Sequence, residues 1–181
     1  MKTLVSISLL CLLAPAPLAM ADENSLTAHN RHLYGGVRQI LVRTAEKMPE
    51  ANYGFKPADD VRTFGQIVGH IADAQYLFCS AVLGEKNPAP KIEKTKTSKA
   101  DLVAALSDAV AYCDRAHASI TDKSGSDTVK FMGGDTPKFG VLTVNSVHSI
   151  EHYGNLVVYL RMNGIIPPTS EPEFMKGLGR K

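Results

Sequence analysis

The sequence is short of cysteine, of net charge and of long hydrophobic runs, and each shortage excludes something. Three cysteines in 181 residues are too few for a disulfide-stapled miniature scaffold, while the length suffices for one domain with its own core. Lysine and arginine number 20 against 18 acids, a balance that argues against a nucleic-acid or anionic-membrane surface. The run Leu4 to Leu13 is too short to span a bilayer and is soon broken by Pro15 and Pro17. With Lys2 before it and Ala19-Met20-Ala21 after it, this run has the layout of a secretory signal peptide over residues 1–21. Its removal leaves Cys79 and Cys113 as the remaining cysteines. The expected product is soluble and exported, periplasmic or secreted, with no membrane contact after cleavage and no nucleic-acid partner.

What is present is helical. A first helix is expected from about Ser25 to Lys47, stopping before Pro49. Thr63-Phe64-Gly65-Gln66 reads as a capping box, in which each end satisfies a backbone donor of the first turn. It opens a second helix carrying Phe64, Ile67, Val68, Ile71, Ala74, Phe78 and Val82 at helical spacing and ending at Gly84. A third helix follows Ser98 and carries Leu102, Leu106, Ala109, Val110 and Cys113. The fourth opens at Thr136-Pro137 and closes at Asn163-Gly164 before Pro167-Pro168. No strand is expected. Residues 22–168 therefore read as an all-α, four-helix bundle, with 169–181 as a tail. The thirteen residues from Glu85 to Thr97 can reach about 40 Å when extended, so a long crossover between helices two and three is allowed though not required.

The fourth helix is apolar on most of its circumference, as befits a helix inside a bundle. Into it are set Asn145, His148, Glu151, His152 and Asn155, at spacings of three or four that form one stripe. A solvated face would carry lysines and paired carboxylates instead. His148 and His152, four apart, project from adjacent turns toward one point, the geometry two imidazoles need to hold one metal ion. His70, beside the apolar face of helix two, is the best third ligand. His29 and His32 compete for that role, and His117 reads as a surface residue. His148-Ser149-Ile150-Glu151-His152 also fits H-x-x-E-H, the inverted zinc-protease motif. The distant acidic ligand of such enzymes has no good counterpart, since only Glu171 and Glu173 in the proline-rich tail follow.

Two segments, Thr63-Phe-Gly-Gln-Ile-Val-Gly-His70-Ile-Ala-Asp73 and His148-Ser-Ile-Glu-His152-Tyr-Gly-Asn155, extended by Tyr159-Leu-Arg-Met-Asn-Gly164-Ile-Ile-Pro167-Pro168, resemble the DinB-like family of metalloenzymes. The resemblance runs from about Leu26 to Pro168. It implies a four-helix bundle with a crossover between helices two and three, often a homodimer, and a three-histidine site mapping onto His70, His148 and His152. Three imidazoles leave a coordination position open for water or substrate, which marks a catalytic rather than a structural site. Glu151 and Asp73 are candidates for moving a proton or orienting imidazoles, and Asn155 for supporting the bound ion. Nitrogen ligands suit zinc, nickel, iron or manganese and do not distinguish among them.

The expected function is a metal-dependent hydrolase or transferase acting on a small-molecule substrate. The alternative is a non-catalytic metal-binding or stress-related bundle, and the third reading is a plain helical interaction module. The crossover would place Cys79 and Cys113 at one level of parallel helices, within disulfide reach. An antiparallel hairpin would separate them by about 16 Å along the axis.

Overall fold

The computed structural model describes residues 25–177, so the expected signal peptide lies outside the described residues. In chain order the helices are α1 (Leu26–Lys47), α2 (Phe64–Leu83), the single turn α3 (Ile92–Thr95), α4 (Lys99–Ala118), α5 (Lys138–Met162) and the short α6 (Pro172–Gly177). The start signals act as the sequence implies. Thr63 accepts from the Gln66 N–H while the Gln66 side chain accepts from the Thr63 N–H. Ser25 and Ser98 cap α1 and α4 through their hydroxyls, and Gly84 closes α2 in the left-handed conformation at φ 69°.

Contacts along the helices fix their directions. Leu102, early in α4, lies against Gly65 and Gly69, early in α2, and Cys113 is bonded to Cys79 further along both. The two helices therefore run parallel, with the paired Cα atoms 5.3 Å apart, and residues 84–98 form the crossover. Arg38 of α1 pairs with Asp114 of α4, and Lys99 donates to the Glu46 carbonyl, which sets α1 antiparallel to α4. Tyr159, late in α5, donates to the carbonyl of Arg62 just before α2, so α5 is antiparallel to α2. The bundle is up-down-down-up.

Its interior holds two apolar clusters, one around Leu41, Phe64, Ile71, Leu106 and Leu160 and one around Tyr34, Phe78, Val141 and Leu142. Where they meet lies a buried polar layer. Gln75 accepts from Tyr34 Oη at 2.9 Å and from Asn145 Nδ2 at 3.1 Å, and donates to Ser149 Oγ at 2.8 Å. Asn145, grouped by sequence with the polar stripe, thus turns inward against the disulfide rather than toward the histidines.

Two expectations are corrected. A short antiparallel hairpin, β1 (Thr128–Phe131) and β2 (Gly134–Pro137), precedes α5. Its strands are too brief to show alternation, and the reversal rests on Met132 and Gly133 at φ 47° and 88°. Phe131 packs on Phe78 with ring centres 5.3 Å apart, so the hairpin is anchored to α2. His117 is not at the surface: it is 2% exposed and stacks on Tyr34 at 4.0 Å. In the tail, Glu171 pairs with Arg43 and Lys47 of α1.

Gly69 shows how tightly the crossover is seated. A Cβ at this position would stand 2.7 Å from the Glu93 Cα, and backbone cannot swing aside as a side chain can. Glycine to alanine inside a helix normally stabilises by about 0.5–1 kcal/mol. Here Gly69→Ala is expected to destabilise by about 1–3 kcal/mol, measured by urea unfolding.

Burial pushes the His117 imidazole down to about 4, with Arg31 adding to the effect. In the unfolded chain the same group takes up its proton near pH 6.5. The unfolded state thus binds more protons between about pH 6.5 and 4, and native stability falls as pH drops through that window, by up to about 1.4 kcal/mol per pH unit. His117→Gln is expected to flatten the slope of unfolding free energy against pH there, whatever it does to stability at pH 7.

Candidate metal centre

The antiparallel register of α2 and α5 brings His70 opposite His148 and His152. The Nε2 atoms of His70 and His148 lie 3.2 Å apart, and those of His152 and His148 lie 3.1 Å apart. The three residues form a group whose ligand atoms all fall within 4.8 Å of one another. Tetrahedral zinc with bonds of about 2.0–2.1 Å would place neighbouring nitrogens about 3.3–3.4 Å apart. The donor set therefore fits a divalent transition metal.

The electrostatics agree with that fit. Burial lowers the His148 imidazole to about 4, with His152 and His70 adding to it and Glu151 opposing. His152 is lowered by burial first and then by His70. Both are therefore neutral at pH 7, with lone pairs available, which is the form a metal binds.

The outer nitrogens differ in how they are held. His70 Nδ1 lies 3.2 Å from Glu93 Oε2. A carboxylate there accepts the Nδ1 proton and leaves the Nε2 lone pair facing inward. The Asn155 Nδ2 lies 3.4 Å from His152 Nδ1 and steadies that ring from its outer side. His148 Nδ1 is buried with no partner among the described residues. Phe78 packs edge-on against the His148 ring at 5.6 Å and ties it to the hairpin.

Glu93 is the residue the sequence does not announce. It sits in the lysine- and proline-rich crossover, 23 positions from His70, and nothing in its surroundings marks it as a partner of α2. What puts it there is Asp73, whose carboxylate accepts from the Ile92 and Glu93 N–H groups at 2.7 and 2.9 Å. Gly69 then lets the Glu93 backbone approach. Asp73 thus anchors the crossover and reaches the imidazoles through Glu93. Glu93 also binds Arg62 Nε at 2.8 Å.

The other sequence candidates lie apart. Glu151 is on the exposed face of α5, and its carboxylate makes no hydrogen bond among the described residues. His29 and His32 are exposed on α1 and belong to no metal-ligand group among the described residues. Glu171, which the protease motif would need nearby, is engaged by α1. An open cleft of about 710 Å³ runs alongside His152 and is lined by polar residues, Arg62, Glu93 and Asn155 among them, and by the apolar Val61, Ile67 and Val158. The centre is thus reachable from solvent.

Comparison with known proteins agrees with this architecture. YjoA of Bacillus subtilis, described as uncharacterized, is 28% identical over 149 residues, covering 80% of this chain and 93% of that one. A DinB-like protein of Bacillus cereus superposes with a TM-score of 0.71 at 17% identity, over 81% of this chain and 98% of that one. A mycothiol-dependent maleylpyruvate isomerase shares the fold with a TM-score of 0.55 at 18% identity, over 78% of this chain and 69% of that one. The DinB superfamily itself matches residues 33–156, a span that takes in α2, the crossover and all three convergent histidines, and the chain belongs to that superfamily.

Proposed function

We propose that this chain is an exported metalloenzyme of hydrolase or transferase type, acting on a small molecule at a divalent ion held by His70, His148 and His152. The observation that carries this reading is the convergence of three Nε2 atoms from two helices. At 3.1–3.2 Å these nitrogens stand about as far apart as neighbouring ligands of one ion, so a cation at their centre would turn the crowding into coordination. Zinc, nickel, iron and manganese all suit the donors. Export rests on the character of residues 1–21, and a disulfide joining Cys79 to Cys113 is at home in an oxidising compartment.

When bound, such an ion supplies Lewis acidity, acidifying a water or polarising a carbonyl. The chain's own groups supply the rest. Glu93 and Asn155 set the ring orientations of His70 and His152, and burial keeps His148 and His152 unprotonated. The cleft admits substrate from one side, while Phe78 and the hairpin wall the other. The cleft favours catalysis over a purely structural ion, because a structural site is closed by a full set of protein ligands.

Equilibrium dialysis against zinc followed by element analysis is expected to give one ion per wild-type chain and none in the His148→Ala/His152→Ala variant. Zinc at a hundred times its dissociation constant should stabilise the wild type by about 2.7 kcal/mol and leave the variant's unfolding unchanged. Ester, amide and thiol-transfer substrates should then be screened with metal-loaded and metal-free protein. Turnover that requires the ion is expected; equal rates in both forms would remove the enzymatic reading.

A further inference from the structure

Arg62 is fixed at two points and free at its working end. Its carbonyl receives the Tyr159 hydroxyl at 2.7 Å, and its Nε is held by Glu93 Oε1 at 2.8 Å. The two terminal nitrogens make no hydrogen bond among the described residues, and the side chain is 46% exposed along the cleft. A guanidinium immobilised through Nε presents its remaining donors as a planar fork, the shape that matches a carboxylate in two parallel hydrogen bonds. Glu93 does not cancel this offer, because its other oxygen is engaged by His70.

Charge narrows the class of ligand. The cleft holds Asp60 and Glu93 against Arg62, so without metal it is net negative. A divalent ion at the three histidines reverses the sign and leaves room for one negative charge, which suits a monoanionic carboxylate better than a phosphate dianion. The same cleft is lined by Val61, Ile67 and Val158, apolar surface that rewards a hydrocarbon body.

We infer that the cleft takes a small organic acid, with its carboxylate on the terminal nitrogens of Arg62, its hydrocarbon body on the Val61–Ile67–Val158 wall, and its remaining end directed toward the three histidines. The inference rests on the metal reading above and names the substrate class of that same site. It gives Glu93 two positioning roles: one oxygen orients the ligand histidine and the other aims the arginine that selects the substrate. Metal uptake and acid binding are thereby tied through a single side chain.

The test uses hydrocinnamate and its uncharged amide as probes, titrated by calorimetry into the zinc-loaded full chain. The acid is expected to bind about tenfold or more tightly than the amide, and to lose that preference on metal-free protein. Arg62→Gln should keep the zinc stoichiometry and lose the preference for the acid. Arg62→Lys, which keeps the charge without the paired nitrogens, should retain only part of it and serves alone if the glutamine variant does not fold. Unchanged acid affinity in either variant would mean the carboxylate sits on the ion alone, and would overturn the inference. So would tighter binding of inorganic phosphate than of hydrocinnamate. Zinc uptake without any acid preference overturns this inference and spares the metal reading; no zinc uptake by the wild type overturns both.

Discussion

Three imidazole nitrogens turned toward one another are what the rest of the molecule has to hold in place. Left to themselves the rings would rotate apart and hydrate, since each inward lone pair gives up a bond to water. They stay because α2 and α5 are locked in antiparallel register on both sides of the histidines. Tyr159 reaches the Arg62 carbonyl on one side, and the Gln75–Asn145–Ser149 layer joins the helices on the other. That layer is fully buried and hydrogen-bonded from three helices, because Tyr34 of α1 adds its hydroxyl. A polar network of this kind tolerates no slippage: moving α5 by one turn would leave several buried donors and acceptors without partners.

The crossover is drawn into the same constraint. A segment of fifteen residues, 84–98, that only had to travel the length of the bundle could run anywhere across the surface. Instead it is seated on one turn of α2, where Gly69 makes room, Asp73 binds the backbone of α3 and His70 receives Glu93. Three residues within five positions thus convert a connection into part of the three-histidine site. The disulfide joins the same pair of helices where the crossover begins, and Glu85 of the crossover binds Tyr112 and Arg115 of α4 on either side of Cys113.

Most of the architecture was legible because it is local. The Thr63–Gln66 box, the Gly84 stop and the apolar periodicity of α2 and α4 depend on neighbours within a turn or two, and the helices begin and end near where those signals stand. The His148–His152 pair was legible for the same reason. The hairpin escaped notice since two four-residue strands carry little periodic signal. The burial of His117 comes from Tyr34 on another helix, and the inward turn of Asn145 from partners on α2 and α4, so neither shows in local spacing. Glu93 and Arg62 lie outside the long helices altogether. Their convergence on the cleft is a product of the crossover's seating, which no spacing rule reports.

The distribution of stabilising contacts also bears on what the ion would be for. Small domains that depend on a structural metal are those whose apolar core is too small to fold without it. This bundle buries two apolar clusters, closes a disulfide across α2 and α4, and caps α1, α2 and α4 with side chains. None of these runs through the histidines. Meanwhile the three-histidine site keeps one flank open to a cleft. A site that served stability would be closed by a full set of protein ligands. On the proposed reading, the open flank therefore bears on what the site admits rather than on what an ion would hold together.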